Sequence, residues 1–305
     1  MLHFIVNPNS GAERGYKLWK NIEHYLIKRK IEYKSYITDG PLDATRIAAD
    51  LTKDDEEVSI IAVGGDGTVN EVLEGVRISP LLTMGYIPTG SGNDLARGLK
   101  LPQNPRLCLK RILRPRSVEL IDYGVVSYGE GKHRRFLVSS GIGFDGQICY
   151  FLNERRMKGA SGNFLLKKFI YVFLGIKQIF LHKPFKGHII LDGIKRVEFN
   201  HLVLIASHIH PTQGGGFRFA PKADNKDGEL SVCIIHQKSK LKLAKILVSA
   251  LLGNHMKYAG VRSYECSELT IHAETPAALH TDGEILGMFE KIELRCIKQK
   301  LRFIR

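Results

Sequence analysis

Residues 60–75, IIAVGGDGTVNEVLEG, contain the signal on which the predicted fold depends. Residues 58–63 form a short apolar run rich in β-branched side chains, which is typical of a buried parallel strand. A glycine-rich turn follows at once, and apolar residues at helical spacing come after it. A strand leading through such a turn into a helix presents backbone N–H groups to an anion, and a carboxylate such as Asp66 beside phosphates requires a cation. The stretch predicts a nucleotide–Mg²⁺ site, with an ordinary glycine turn as the alternative.

Further strands and helices alternate on both sides of this stretch. Apolar runs predict strands at residues 2–6, 31–38 and 82–87, each followed by a segment with helical spacing. Alternating strands and helices indicate a parallel α/β layer, in which ligands bind beyond the carboxyl ends of the strands. The polar turns after the strands therefore converge at one edge of the sheet.

The pattern changes after the prolines of residues 102–115, which bracket a short basic helix and predict a hinge. Beyond it, strands are predicted at residues 118–126, 135–140, 188–191, 201–207, 229–235 and 268–273, and they favour an antiparallel β domain. Residues 163–180 and 240–257 interrupt this pattern with helical, basic stretches. The first is either a core helix or an aromatic-basic element that rests on a bilayer or lines a lipid pocket.

Charge and cysteine content restrict the class of partner and compartment. The formal net charge is +14, which favours a polyanionic partner, and the chain has no recognisable nucleic-acid-binding motif. An anionic membrane surface therefore fits better than nucleic acid. Five scattered cysteines indicate a reducing compartment. With no apparent signal peptide or apolar run of membrane-spanning length, we expect a cytoplasmic protein that associates peripherally with the inner face of the membrane. A homodimer remains open.

Two motifs together carry a family resemblance. GGDGTVNE at residues 64–71 and PTGSGNDLARGL at residues 88–99 resemble the nucleotide motifs of the diacylglycerol kinase catalytic-domain family, which includes bacterial lipid kinases and sphingosine kinases. NPNSG at residues 7–11 resembles the family's N-terminal nucleotide contact, and GIGFD at residues 141–145 resembles a turn that shapes its cleft. NAD kinases share the GGDG turn but differ in the segment that corresponds to residues 88–99.

The resemblance implies the residues that bind ATP and Mg²⁺. The implied nucleotide-binding positions are Asn7, Pro8, Asn9, Ser10, Gly11, Thr38, Gly64, Gly65, Asp66, Gly67, Thr68, Asn70, Glu71, Thr89, Gly90, Ser91, Asn93 and Asp94. A turn at residues 221–230 resembles the family's structural Mg²⁺ site, with Asp227 as side-chain ligand and main-chain oxygens near Asp224 and Glu229. Without the resemblance, this turn reads as a loop with an Asp-Gly hairpin turn.

The turn His280-Thr281-Asp282-Gly283-Glu284 completes the implied catalytic set. In the family its glutamate is a proposed general base, which is Glu284 here, with Asp282 close by. Such a base assists attack of a lipid hydroxyl on the γ-phosphate. Asp66 is expected to link the protein to catalytic Mg²⁺, and it is also the alternative base.

By this resemblance the chain is an ATP-dependent lipid kinase, with diacylglycerol as the expected acceptor. Its implied fold is a three-layer α/β nucleotide-binding domain (residues 1–115 with 294–305) and an antiparallel β-sandwich lipid-substrate domain (residues 116–293). The alternatives are a kinase for a sphingoid base, a polyprenol or a soluble metabolite, and a catalytically silent membrane-binding regulator.

Overall fold

The first part of the chain folds as a parallel sheet covered by helices. The computed structural model describes residues 1–157 and 178–305. The sheet has the order β4-β3-β1-β2 and consists of β1 (Leu2–Val6), β2 (Tyr33–Ile37), β3 (Val58–Gly64) and β4 (Leu82–Pro88). Every residue of β4 is buried, as expected for a central parallel strand covered on both faces. The predicted α/β layer is confirmed.

Helices pack against this sheet and in part against each other. They are α1 (Ser10–Glu13), α2 (Gly15–Lys28), α3 (Asp43–Leu51), α4 (Asp66–Gly75), α5 (Asp94–Gly98) and α6 (Pro105–Leu113). α3 contacts α4, and α2 contacts α6. α2 shows why these segments are helical, because Trp19, Ile22 and Leu26 recur at helical spacing and are all buried.

The second part is antiparallel and rich in strands. Its strands are β5 (Val118–Tyr128), β6 (Lys132–Phe136), β7 (Ser139–Gly143), β8 (Phe185–Leu191), β9 (Lys195–His208), β10 (Leu230–His236), β11 (Val261–Cys266), β12 (Glu268–Thr281) and β13 (Glu284–Ile304). They pair with one another in antiparallel fashion. Helices α7 (Phe144–Met157) and α8 (Lys240–Ala250) and a 3₁₀ turn (His255–Lys257) complete this part. The predicted antiparallel β-sandwich region is confirmed.

Several predicted boundaries were wrong. The single strand predicted at residues 135–140 is divided between β6 and β7, because Leu137 and Val138 donate their N–H groups to a carboxylate instead of a strand neighbour. The helix predicted at residues 240–257 ends at Ala250, just before Gly253 adopts a φ of +72°. Strands β11 and β13 and helix α7 were not predicted. Of the stretch predicted at residues 163–180, residues 163–177 lie outside the described residues.

The last strand connects the two parts of the chain. β13 pairs along most of its length with β5 and β12, and near its end Phe303 pairs in parallel with Met84 of β4. Leu301, Phe303 and Ile304 pack in the same core as the parallel sheet. The predicted domain boundaries at residues 115 and 294 remain a prediction. Among the helices that the structure describes, none is both long and apolar enough to cross a membrane.

Candidate active site

The turns after β1, β3 and β4 meet at the carboxyl edge of the parallel sheet. The Ser10 hydroxyl lies 2.6 Å from that of Thr89, and Asn7 Nδ2 donates to Thr68 Oγ1 over 3.1 Å. The backbones are in close contact, because a β-carbon at Gly11 would lie 2.2 Å from the Thr89 carbonyl oxygen. Three motifs that are far apart in the sequence thus form one surface.

The start of α4 is available to an anion. Gly65 occupies the N-cap position, and no side chain caps the helix. The first N–H groups of a helix have no partner within the helix, and the helix dipole favours negative charge at this end. Gly90 packs against Gly65 so closely that a β-carbon on Gly90 would lie 2.6 Å from Gly65 Cα. The arrangement suits phosphate binding by main-chain groups.

Asp66 caps the neighbouring helix α5. Its Oδ2 accepts a hydrogen bond from the Asp94 N–H at 2.9 Å, and its Oδ1 accepts one from Leu95 at 3.2 Å. Burial raises the pKa of Asp66 to about 6, and the negative charges of Asp94 and Asp282 act in the same direction. The two backbone hydrogen bonds oppose this shift.

Asp94 is buried close to Asp66 and is fixed from two sides. Its Oδ1 accepts a hydrogen bond from Arg97 Nη1 at 2.9 Å, and its Oδ2 accepts one from the Gly215 N–H at 2.7 Å. A β-carbon at Gly92 would lie 3.1 Å from Asp66 Oδ2 and 3.9 Å from Asp94 Oδ2, so both carboxylates face one small volume. Paired carboxylate oxygens are the ligand chemistry that Mg²⁺ prefers, and a divalent cation there would relieve their repulsion.

Asp282 connects the C-terminal turn to both parts of the fold. Its carboxylate accepts hydrogen bonds at 2.9 Å from Asn70 Nδ2 and from the N–H groups of Leu137, Val138 and Ser139. Burial raises the pKa of Asp282, and these four hydrogen bonds oppose the shift. Asp282 therefore fixes the turn that carries Glu284 against the helix that begins at Asp66.

Glu284 lies at the mouth of the cleft beside the glycine turn. Its Oε1 is 3.5 Å from the position that a β-carbon at Gly67 would occupy. Its Oε2 accepts a hydrogen bond from Arg134 Nη2 at 2.7 Å, and the same nitrogen donates to Asn70 Oδ1 at 2.9 Å. Arg134 was missed in the sequence, because nothing in the basic stretch of residues 132–135 distinguishes it from an ordinary surface arginine.

Three of the predicted nucleotide positions have their side chains committed to the protein. Burial raises the pKa of Glu71, whose carboxylate accepts N–H groups of Leu42 and Ala44 at the start of α3. Thr38 Oγ1 donates to the Val6 carbonyl; Asn93 Nδ2 donates to the Gly90 carbonyl, and its Oδ1 accepts from the hydroxyl of Tyr86 in β4. Nucleotide contact by these side chains remains a prediction. Ser91 is exposed at the edge, and Pro8 and Asn9 lie beside Asn7 in the first turn.

The predicted metal turn is ordered mainly by its own backbone. Asp227 Oδ1 accepts the Glu229 N–H at 2.9 Å, and Asp224 Oδ1 accepts the Lys226 N–H at 3.1 Å. Burial raises the pKa of Asp227, with nearby Asp224 and Asp122 adding to the shift. Within residues 1–157 and 178–305, no three histidine, cysteine or acidic side chains are close enough together to hold a metal ion. A site made of Asp227 and main-chain oxygens remains a prediction.

Asp122 is the residue near this turn that sequence reasoning missed. It is fully buried, with Oδ2 accepting the Gly228 N–H at 2.8 Å and Oδ1 accepting the Gln299 N–H at 2.6 Å. It thereby joins the acidic turn to β13. A lone aspartate within a predicted strand gives no signal of this role, although an acidic residue in an otherwise buried strand demands a partner.

A second buried polar group lies at the GIGFD turn. His280 Nε2 is 2.9 Å from Asp145 Oδ2, and Gln213 Nε2 lies 3.5 Å from the same oxygen. Burial acts to raise the pKa of Asp145, but His280 and the other hydrogen-bond donors hold it below its ordinary value. Burial lowers the pKa of His208 and of His210 to about 3.

Two family models together match nearly the whole chain. The "Diacylglycerol kinase catalytic domain" matches residues 1–126, and the "YegS C-terminal NAD kinase beta sandwich-like domain" matches residues 142–305. The first model contains the glycine turns at the edge of the parallel sheet. The second contains Asp282 and Glu284, so the cleft is built from residues of both matched regions.

Curated relatives and solved structures agree with these matches. The chain is 29% identical over 289 residues to the "Putative lipid kinase YtlR" of Bacillus subtilis (strain 168), with 93% of each chain covered. It is 28% identical to "Diacylglycerol kinase" of Staphylococcus haemolyticus (strain JCSC1435), with 93% of this chain and 82% of that protein covered. A crystal structure of a diacylglycerol kinase from Bacillus anthracis str. Sterne matches with a TM-score of 0.72 at 20% identity, covering 99% of this chain and 96% of that one. This structural likeness shows the fold.

Proposed function

The chain belongs to the diacylglycerol kinase catalytic-domain family, and from this premise we propose that it transfers the γ-phosphate of ATP to a lipid hydroxyl, with diacylglycerol as acceptor and phosphatidic acid as product. The observation that carries this proposal is the position of Glu284. Its carboxylate comes from the far end of the chain and lies beside Gly67 of the glycine turn. A carboxylate next to a phosphate-binding turn is placed to act on an acceptor hydroxyl.

The residues of the cleft divide the work of phosphoryl transfer. Backbone N–H groups at the start of α4 hold the phosphates, and the helix dipole there stabilises their negative charge. Glu284 accepts the proton of the acceptor hydroxyl, and Arg134 holds the carboxylate in place through the 2.7 Å hydrogen bond. Asp66 and Asp94 are the residues that would hold Mg²⁺, which supplies neutralisation of phosphate charge when bound.

Glu284 suits the role of base better than Asp66 does. Both oxygens of Asp66 already accept backbone N–H groups of α5, which fixes this carboxylate within the protein. The Glu284 carboxylate is partly exposed at the mouth of the cleft, where an acceptor can reach it. Asp66 remains the alternative base, and amide variants separate the two roles.

Membrane association belongs to this proposal because its acceptor resides in a bilayer. The protein carries a formal charge of +14, which favours the anionic inner face of a membrane. We place the protein there as a peripheral protein of the cytoplasm.

The experiment is transfer of radiolabel from γ-labelled ATP, with Mg²⁺, into a total lipid extract separated by chromatography. We expect one labelled lipid that co-migrates with phosphatidic acid. Glu284→Gln should reduce turnover by about 10²–10⁴-fold, with ATP binding retained. Glu198→Gln, at an exposed position of β9, is the matched control and should retain activity.

Other outcomes distinguish the alternatives. A labelled lipid of different mobility identifies another acceptor, such as a sphingoid base or polyprenol. Label in a water-soluble product indicates a metabolite kinase. Absence of transfer together with intact vesicle binding indicates a silent membrane-binding regulator and refutes the kinase proposal.

A further inference from the structure

Helix α8 has apolar side chains on two opposite faces. Leu243, Ile246, Leu247 and Ala250 are buried in a core that also contains residues of β9 and β10. On the other side, Leu241, Val248 and Leu252, just after the helix, are 73%, 66% and 72% exposed. The inward face explains how α8 is held in the fold, but it does not explain the outward leucines and valine.

The outward residues form one continuous stripe. At 3.6 residues per turn, positions 241, 245, 248 and 252 fall within about 60° of one another around the helix axis. Position 245 is an exposed lysine, so the stripe is apolar at both ends and cationic in the middle. A surface helix that exposes apolar and basic side chains together in this way has the character of an element that lies at a membrane interface.

The segment of the chain that carries this stripe has charged side chains of one sign. Lys238 and Lys242 are exposed beside it, and residues 230–264 contain no aspartate or glutamate. The Lys240 ammonium group donates to the His182 carbonyl oxygen, which fixes the segment before β8 against the start of α8. Phe180 and Leu181 of that segment are also exposed and add apolar surface next to the helix.

One loop joins the end of α8 to the cleft. The Arg218 N–H donates to the Ala250 carbonyl at 2.8 Å, and the Gly215 N–H donates to Asp94 Oδ2 at 2.7 Å. The C-terminal end of α8 is therefore linked through residues 215–218 to Asp94 of the candidate active site.

We propose that the outward face of α8 is the surface by which this protein docks on an anionic bilayer. Leu241, Val248 and Leu252 insert into the boundary between headgroups and acyl chains, and Lys238, Lys242 and Lys245 contact the anionic headgroups. The charge complementarity and the apolar stripe are the two properties that interfacial helices combine. The inference rests on the proposed function, since it names the surface that brings the kinase to its lipid acceptor.

Vesicle binding without ATP tests the surface directly. The full chain is sedimented with sucrose-loaded vesicles of phosphatidylcholine with 30% phosphatidylglycerol, compared with phosphatidylcholine alone. We expect binding that depends on the anionic lipid. The double variant Leu241→Gln with Val248→Gln should weaken vesicle binding more than tenfold, because it removes apolar side chains that insert into the bilayer. The double variant Lys242→Glu with Lys245→Glu should also weaken binding more than tenfold, because each lysine near the membrane surface contributes about fivefold.

Controls at other exposed positions separate docking from general surface effects. Ile194→Gln removes an exposed isoleucine in the turn between β8 and β9, and Lys53→Glu removes an exposed lysine that is far from α8 in the sequence. Both should bind vesicles as the unaltered protein does. Equal weakening by the controls, or unchanged binding by the α8 variants, overturns the proposal.

A fluorescence reporter tests docking with a variant that keeps an apolar side chain at the surface, in case the variants above fold poorly. Trp19 is buried and is the chain's one tryptophan, so its emission is a constant background. Leu252→Trp should show a blue shift on addition of anionic vesicles. Absence of a lipid-dependent shift overturns the proposal, as does a shift that depends on protein concentration without lipid, which would identify a second copy on this face.

Failure of docking and failure of the kinase proposal give different results. If α8 docks, its variants lose activity on vesicle-borne diacylglycerol but retain it on a short-chain diacylglycerol dissolved as monomers. If the protein is not a lipid kinase, neither acceptor is phosphorylated, while vesicle binding still responds to the α8 variants. Vesicle binding that is unaffected by these variants refutes docking whatever the activity.

Discussion

Replacing Asp282 with asparagine tests whether one carboxylate holds the cleft together. Oδ1 accepts the N–H groups of Val138 and Ser139, and Oδ2 accepts that of Leu137 and the Asn70 amide. An asparagine side chain keeps one oxygen and places an NH₂ group where the other was. In either orientation two donors lose their acceptor.

The magnitude follows from those two lost hydrogen bonds. Hydrogen bonds to a charged group contribute about 1.5–3 kcal/mol each, so Asp282→Asn should lower the free energy of unfolding by about 3–6 kcal/mol. Turnover should also fall, because Glu284 is two residues further along the same turn.

Asp192 provides a control in a turn of the same backbone geometry, at an exposed position. It also precedes a glycine in a turn between strands, and both aspartates have a φ of +49°. Asp192 Oδ1 alone accepts the N–H groups of Ser267 and Glu268 and the Ser267 hydroxyl. The oxygen of an asparagine can keep all three, so Asp192→Asn should cost less than about 1 kcal/mol.

Urea unfolding at pH 7.5, followed by far-UV circular dichroism, measures both variants. Both changes remove one negative charge and keep a residue type that tolerates positive φ, so these effects cancel in the comparison. Equal losses of stability in the two variants would refute the assignment of Asp282 as a clamp. A loss below about 1 kcal/mol for Asp282→Asn would do so as well.

Four further predictions concern stability, turnover and reactivity. Gly64→Ala should destabilise the fold by about 1–3 kcal/mol in urea unfolding, because its β-carbon would lie within 2.3 Å of the Thr68 side chain. Gly67→Ala should not destabilise it, since alanine favours helix, yet it should lower turnover by crowding the cleft. Burial lowers the pKa of His208 and His210 to about 3 from their ordinary value of 6.5, so the stability that depends on their neutral forms is fully present above pH 6.5 and is lost as the pH falls toward 3. At pH 5 each of the two histidines should lower the free energy of unfolding by about 2 kcal/mol relative to pH 7.5. His210→Gln should reduce this pH dependence, measured by urea unfolding, by the same amount. Burial raises the pKa of four thiols to about 12, those of Cys108, Cys233, Cys266 and Cys296. Their reaction with a thiol reagent at pH 8 should therefore be slow until urea unfolds the protein.

Local patterns explain how much of the fold could be predicted. β1 was predicted with its observed bounds, and β3 and β4 to within one residue, because each is a short apolar run followed by a turn that contains glycine or proline. The strands of the second part were less complete. β9 begins at Lys195, six residues before its predicted start, because the first half of the strand is polar and half exposed. β13 was missed although Ile292, Leu294 and Cys296 alternate with polar residues, the period of a half-buried strand.

The sequence by itself determined the parallel sheet, its glycine turns and the candidate residues Asp66, Asp94, Asp282 and Glu284. The sheet and its turns depend on side-chain periodicity and on turn residues a few positions apart, which a single sequence displays directly, whereas the roles of these acidic residues were implied by the resemblance of their motifs to the kinase family. Only the tertiary structure brought Glu284 to the glycine turn and Arg134 to Glu284, and it alone separated the two faces of α8. Asn70 and Asp282 are hydrogen-bonded across 212 positions of sequence. No local pattern encodes such a contact, because it is decided by how β13 and β12 pack against the parallel sheet.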